Sequence, residues 1–583
     1  MTDHVLHGAL PPLRRTAFAI IFLLFLYAII AFFGIPQYWT HLANEPHDYE
    51  TKQVEYHVES EAEQDVTLAD TEEYLYPTIY MVIPFAVLLL AIAVLPLIPA
   101  TEHWWHKNRN KFLIAATLGV ITLLYYGFFS NFTLEGHWPA HFDVAPDASA
   151  VTKMSTIFGN AIIYEFIPFI VLLFALYVIA GGIRIEGNFK ATPLVNSMIL
   201  AVGALLASFV GTTGAAMLLI RLLIDTNRER KYKVHLIVFF IFTVCNNGGC
   251  LTPLGDPPLF LGYLRGVDFF WTLYLLPYWF AVNLALISLY FLWDALWYYP
   301  KESAEDKKID AKASVNFKIT GLKVNLPLLL GVMASVAFLS PTNKVPVIGE
   351  YLFENGYPWY FLREAIQLGL AATSLLLSSH WIRRANAFSF TAILEVAALF
   401  FGIFICMQVP LQILTHEGKN VVKFTQDTTG FDQPHHKPFM LFWTTGVLSC
   451  WLDNAPTYVV FFEVSKSLQP KNEAEIERDN AEAIRASGEP KWKHDGKYWR
   501  CTTDPTLKLI RVKTGFIDHT HLIAIALGTV FMGGMTYIAN GPNFMVKAIA
   551  EQSKIKMPSF FGYMVYSCLL LLPIYAVLTI FFL

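Results

Sequence analysis

Apolar positions along this chain run in long continuous blocks rather than at the three-and-four spacing of helices that bury a single face. Blocks of 19 to 33 residues recur at 16–35, 74–99, 111–130, 157–183, 232–264, 270–298, 323–341, 359–382, 389–415, 519–550 and 559–583. Each is long enough to carry an α-helix across about 30 Å of hydrocarbon. Two further blocks, 193–224 and 438–464, break at their centres, at Gly211-Thr-Thr-Gly214 and at Asp453-Asn-Ala-Pro-Thr457. Each suits a hairpin that enters the membrane and returns to the same side. The pattern predicts an all-α polytopic membrane protein of about 11 transmembrane helices plus two re-entrant hairpins.

Two of the spans are also interrupted. The fifth contains "CNNGGCLTPLGDPPLF" (245–260) and the tenth "GGMTYIANGPNFM" (533–545). Aligned on their paired glycines, the two windows match at a constant offset of 285, and the helix starts at Glu165 and Glu395 match at an offset of 230. Both halves therefore run in one order: charged helix start, broken hairpin, broken helix. An odd number of spans per half makes the second an inverted copy of the first, a 5+5 repeat. The chain divides into an extra N-terminal span with an acidic external loop (1–73), a first repeat (74–300), a linker (301–322) and a second repeat (323–583). The second repeat carries a polar insert at 465–513.

Composition agrees with the pattern and removes alternatives. Of 583 residues, 55% are hydrophobic and only 15% charged, far from the usage of soluble domains. The net charge of −4 offers no basic surface, so no nucleic-acid partner is expected. The six cysteines suggest buried small hydrophobes, not a disulfide framework. Lys and Arg fill the short loops at 14–15, 107–111, 228–233, 301–323 and 383–384, whereas the loop 36–73 has eleven acidic residues and one Lys. This places the N-terminus and the linker in the cytoplasm. The first apolar block is long for a cleaved signal and is expected to be retained. No HExxH, GxSxG or nucleotide-binding loop occurs, so neither an enzyme nor a bound cofactor is expected.

The chemistry gathers at the four interruptions. Non-helical backbone persists at membrane depth only where protein buries it or water lines it, so four unwound stretches predict a shared cavity near the midplane. Candidate substrate- and ion-binding residues are Thr212 and Thr213 at the first hairpin, Asn246, Asn247, Thr252 and Asp256 in the first broken helix, Asp453, Asn454 and Thr457 at the second hairpin, and Asn540 and Asn543 in the second broken helix. Hydroxyl, amide and carboxylate oxygens, together with carbonyls freed by unwinding, make a hard-oxygen set suited to Na+, with Asp256, Asp453, Asn247 and Asn454 as its core. A carboxylate at membrane depth is costly unless it pairs with a cation or takes a proton. Burial raises carboxylate pKa values, which allows Na+ and H+ to exchange at one group. Hairpin-tip capping is the structural alternative for both Asp256 and Asp453. Glu165 and Glu395 are expected to cap helices or pair with cations at opposite faces, and Arg221 to snorkel from the first hairpin toward the cytoplasm.

The segments "GTTGAAMLLIRLLIDTN", "NNGGCLTPLGDPPLFLG", "LDNAPTYVVF" and "GGMTYIANGPNFMVKAIAE" together resemble the ion transporter superfamily. They are nearest to its bacterial NhaD-type sodium/proton antiporters and to the related citrate transporter group. The resemblance covers about residues 74–583. It implies an inward-facing hairpin at 193–224, an outward-facing one at 438–464, and a site between their tips and the two broken helices. It also implies a homodimer in the cell membrane, transporting Na+ and H+ or a small carboxylate, with a transport domain that moves against a scaffold. Dicarboxylate carriers of the superfamily have Ser-Asn-Thr at both tips; here Gly-Thr-Thr and Asp-Asn-Ala-Pro-Thr stand instead, which favours antiport over carboxylate transport.

Overall fold

The computed structural model describes residues 11–44, 76–303, 317–341, 356–429 and 437–582, apart from 97, 188, 387, 471, 488, 497, 505 and 506. Most of this is helix. Among the described residues, seven helices are long and apolar enough to cross a membrane: Leu13–Phe32, Asn108–Phe129, Ala150–Ala180, Pro193–Val210, Phe269–Lys301, Thr391–Thr415 and Phe560–Phe581. The chain is thus a polytopic all-α membrane protein. An eighth arises if Ile79–Val94 and Pro99–Trp105, which meet at 103°, form one span.

The expected eleven spans are not reached by this measure, for local reasons. Leu322–Phe338 and Leu362–Leu377 stop at 17 and 16 residues, and the spans expected at 232–264 and 519–550 are each split in two. The block at 389–415 is the start of a helix that runs on to Thr429.

Both broken blocks are helical hairpins. The first joins Pro193–Val210 to Thr212–Thr226 through Gly211 alone, whose φ of +81° lies where side-chain-bearing residues are strained. At its base, the Asn196 and Asn227 amides bond each other reciprocally at 2.8 Å, so the second arm ends beside the start of the first. The second hairpin joins Lys437–Trp451 to Asn454–Ser467, and Met440 near its start packs with Val464 near its end. The first broken helix comprises Val234–Thr243, a 3-10 turn at Asn247–Cys250 and Pro257–Leu264. The second comprises His519–Met532, a 3-10 turn at Gly533–Met535 and Gly541–Gln552. These elements form the centre of the core: Leu236 to Phe242 and Leu522 to Leu527 are buried without a gap. By contrast Phe18, Phe22 and Phe25 on the N-terminal helix are exposed, as suits lipid contact.

The base of each hairpin lies beside its own cluster of charge. Just beyond the first hairpin, Arg230 pairs with Asp294 at 2.5 Å, and His235 lies 3.0 Å from the same carboxylate. Nearer the second base, Arg265 pairs with Glu165 at 2.7 Å. Glu395 pairs elsewhere, with Lys111 at 2.5 Å. Strands Arg184–Glu186 and Lys318–Thr320 pair antiparallel, joining the segment before the first hairpin to the end of the linker.

The polar insert is a folded unit. Helix Glu473–Ser487 lies with a four-stranded antiparallel sheet, Trp492–His494, Trp499–Cys501, Lys508–Val512 and Gly515–Asp518. Ile476, Trp492, Cys501, Leu509 and Phe516 form its own small core. The sheet carries the insert to Asp518, five residues past the expected end, where the Asp518 side chain caps the following helix. Of the acidic loop 36–73, the helix Ile35–Asn44 falls among the described residues and the remainder lies outside them.

Candidate functional site

Where a helix unwinds, its backbone groups must find other partners. Here side chains supply many of them. Gly248 O accepts from Ser208 Oγ at 2.5 Å and Trp279 Nε1 at 3.1 Å, and Gly534 O accepts from Tyr563 OH at 2.8 Å. Asn543 Nδ2 donates to Gly533 O and Thr536 O, and Asn246 Nδ2 to Ile241 O. These freed carbonyls are thus each held by a side-chain donor. A cavity of about 210 Å³ lies along the first hairpin, lined among others by Arg184, Glu186, Arg221 and Asp225.

The two halves make the same bonds. Thr212 N–H donates to Gly255 O at 2.8 Å, and Asn454 N–H donates to Ala539 O at 3.3 Å. Thr252 Oγ1 donates to Ser208 O, and Thr536 Oγ1 to Cys450 O. Each pair is related by offsets of 242 residues in the hairpin and 284 in the broken helix. The structural counterpart of Asp256 is therefore Asn540, one residue off the sequence register of 285. The stretch between 3-10 turn and second helix is six residues long in the first half and five in the second.

At the centre stands Asp256, 1% exposed. Its Oδ1 accepts from Thr212 Oγ1 at 3.1 Å and Asn540 Nδ2 at 3.2 Å, and its Oδ2 accepts from Asn454 Nδ2 at 3.3 Å. The donors come from the first hairpin tip, the second broken helix and the second hairpin tip. Asn540 Nδ2 also lies 3.2 Å from Asn246 Oδ1, whose own amide donates to Asn543 Oδ1 at 2.8 Å. Ser449 Oγ holds Asn454 Oδ1 at 2.7 Å. Thus Asp256, Thr212, Asn454, Asn540, Asn246 and Asn543 form one connected, buried network. Among the described residues no Lys or Arg hydrogen-bonds or forms an ion pair with this carboxylate.

The remaining candidates stand at its edge. Thr252 braces the first hairpin, as above, and Asn247 Oδ1 accepts from Tyr575 OH while its Nδ2 is buried and unpartnered. Thr457 Oγ1 donates back to Asp453 O in its own helix, and Thr213 is half-buried. Asp453 is the N-cap of Asn454–Ser467, accepting from Ala455 N–H at 3.0 Å. It makes no direct bond to Asp256, so of the two candidate carboxylates Asp256 stands at the centre of the network and Asp453 caps the adjacent helix. Among the described residues no three His, Cys, Asp or Glu side chains gather as a metal set.

Two tight approaches explain paired glycines. A Cβ on Gly533 would stand 2.5 Å from Asn454 Nδ2 and 2.9 Å from Asn246 Oδ1, and one on Gly249 would stand 2.6 Å from Thr212 Cγ2. Sequence inspection missed Ser208 and Ser449. Their signal was present: each is a small polar residue four or five positions before a tip residue, one helical turn away.

No curated protein matches this chain. A family model does, over residues 76–583, which takes in both hairpins, both broken helices and the insert. This chain belongs to that family, described as "Putative citrate transport".

Proposed function

We propose that the protein is a secondary active transporter that exchanges Na+ for H+ at Asp256 by alternating access. The observation that carries this reading is the buried Asp256 carboxylate, reached by hydroxyl and amide groups of three elements and, among the described residues, by no cationic side chain. A buried carboxylate without a cationic partner needs a cation or a proton. One group can hold either but not both at once, which is the minimal requirement for exchange. Asn454 and Asn540, by turning their amide oxygens inward, and the Thr212 hydroxyl complete an oxygen set for Na+. Asp453 supplies a second negative charge close to the tip.

Alternation follows from symmetry in this proposal. The halves 74–300 and 323–583 are inverted repeats, the hairpins re-enter from opposite faces, and a homodimer sits in the cell membrane with its N-terminus in the cytoplasm. The repeated bonds at offsets of 242 and 284 support it, as do the hairpin bases beside separate charge clusters.

A second reading, Na+-coupled uptake of citrate or another small carboxylate, is favoured by a specific feature. The helices Thr212–Thr226, Pro257–Leu264, Asn454–Ser467 and Gly541–Gln552 all begin at the network. Helix N-termini carry partial positive charge and attract anions. The family description points the same way. Proteoliposomes separate the two: a pH gradient dissipated by Na+ or Li+ without citrate supports exchange, whereas labelled citrate uptake that requires Na+ and leaves the pH gradient intact supports symport.

A further inference from the structure

A second polar centre lies where the first broken helix ends. Arg265, just beyond Leu264, places Nη2 2.7 Å from Glu165 Oε1 and Nε 3.8 Å from Glu463 Oε1. Glu463 Oε2 is 2.5 Å from Lys466 Nζ, which also reaches Thr514 Oγ1 at 2.9 Å. Lys513 closes the circuit: its N–H donates to Arg265 O at 3.0 Å, and its Nζ donates to Tyr164 OH at 2.9 Å. These side chains belong to four elements: helix 150–180, the first broken helix, the second hairpin, and the tip of the strand pair Lys508–Val512 and Gly515–Asp518. The tip is seated closely. Gly266 has φ +98°, and a Cβ there would stand 2.6 Å from Lys513 N, so the insert docks on backbone that only glycine leaves open.

The circuit is poorly suited to plain stabilisation. Burying ion pairs costs desolvation that their attraction seldom exceeds, and Glu165 Oε2 is buried with no hydrogen-bond partner. Glu165 also stands in a π-helical stretch, Gly159–Phe166, a local widening of the helix that is rarely kept without a use. An ion-pair contact has one property that an apolar contact lacks. When it opens, water rehydrates the charges, which offsets part of the attraction lost.

We propose that Glu165, Arg265, Glu463 and Lys513 form a latch that closes this end of the protein, with the insert tip Lys513-Thr514 as its clasp. Parting the latch separates helix 150–180 from the first broken helix and the second hairpin, and opens the Asp256 network toward the side that carries the insert. Only its consequence for flux rests on the transport reading; the opening itself does not.

The test uses the full chain in sealed membrane vesicles with a Thr213→Cys reporter at the first tip, labelled by a membrane-impermeant maleimide and corrected for the parent protein. Lys513→Ala, outside the membrane, and Glu165→Gln are compared with the reporter alone, each checked for an unchanged size-exclusion profile. The latch predicts at least a five-fold faster labelling from the side bearing the insert in both variants, and no gain from the other side. Unchanged labelling, or an equal gain from both sides, in Lys513→Ala overturns it, even if Glu165→Gln fails to fold. Faster one-sided labelling in a protein that moves neither Na+ nor citrate would leave the latch standing and remove the transport reading.

Discussion

Gly533→Ala tests the central network without touching a hydrogen-bonding group. The added methyl would stand 2.5 Å from Asn454 Nδ2 and 2.7 Å from Asn454 Oδ1, where ordinary contact begins near 3.4 Å, so the amide must retreat by almost 1 Å. Its bond to Asp256 Oδ2 is already 3.3 Å long and does not survive that shift. Overpacking costs about 1–3 kcal/mol, and a buried donor left unmet about 1–3 kcal/mol more, giving a loss of about 2–6 kcal/mol. Gly541→Ala is the control from the same interruption. Nothing lies within 4 Å of its Cβ, and it occupies the first turn of a helix. It is expected to be neutral or to stabilise by about 0.4–1 kcal/mol. Cys245, Cys250, Cys406 and Cys450 are buried, so a dye that fluoresces on reacting with newly exposed thiols reports unfolding of the solubilised protein on heating. A melting temperature for Gly533→Ala equal to that of the parent, or an equal drop for Gly541→Ala, refutes the packing of Asn454 against Gly533.

Asp453→Asn keeps a good N-cap and is expected to melt with the parent, whereas Asp453→Ala loses the bond to Ala455 N–H and about 1 kcal/mol in the same assay. Asn196→Ala breaks the reciprocal amide pair at the base of the first hairpin and is expected to cost about 1–3 kcal/mol; no change would mean that the base is not closed by this pair. His137, in the loop before helix 150–180, faces His141, Lys466, Lys513 and Arg265, and burial first and then these groups push its pKa down to about 3. Below about pH 6.5 the unfolded chain takes a proton that folded His137 refuses, so stability falls as pH falls. Its Nδ1 contact with His141 Nδ1 at 3.1 Å also needs one unprotonated ring. His137→Gln is expected to flatten the pH dependence of melting between pH 7 and 5, and an unchanged slope would contradict the assignment.

Much of this arrangement was legible in the chain because hydrocarbon imposes a strict rule on backbone. Gly248-Gly249 and Gly533-Gly534 in otherwise apolar blocks had to mark unwinding, and Gly211 and Asp453-Asn454 had to mark turns. The register was one residue off because glycine pairs were aligned, whereas the bonds are set by the N-caps Asp256 and Asn540. Periodicity carries no information about a one-residue difference in a non-helical stretch. Asp453 was ambiguous for a similar reason: a carboxylate before Asn-Ala-Pro reads equally as a ligand and as a cap, and the bond from Ala455 N–H is visible only in the structure. The role of the insert was invisible because Lys513 acts through a backbone contact with Arg265 and a hydroxyl on Tyr164, 248 and 349 positions away.

Exchange at Asp256 is tested by the Na+-dependent dissipation of an imposed pH gradient in proteoliposomes, with the parent protein and Asp256→Asn side by side. The substitution conserves the volume of the side chain in the buried network and removes its charge. The parent is expected to dissipate the gradient on addition of Na+, and the variant, with an unchanged size-exclusion profile, to leave it standing. A variant that dissipates the gradient as fast as the parent would mean that the transported cation and proton do not meet at Asp256.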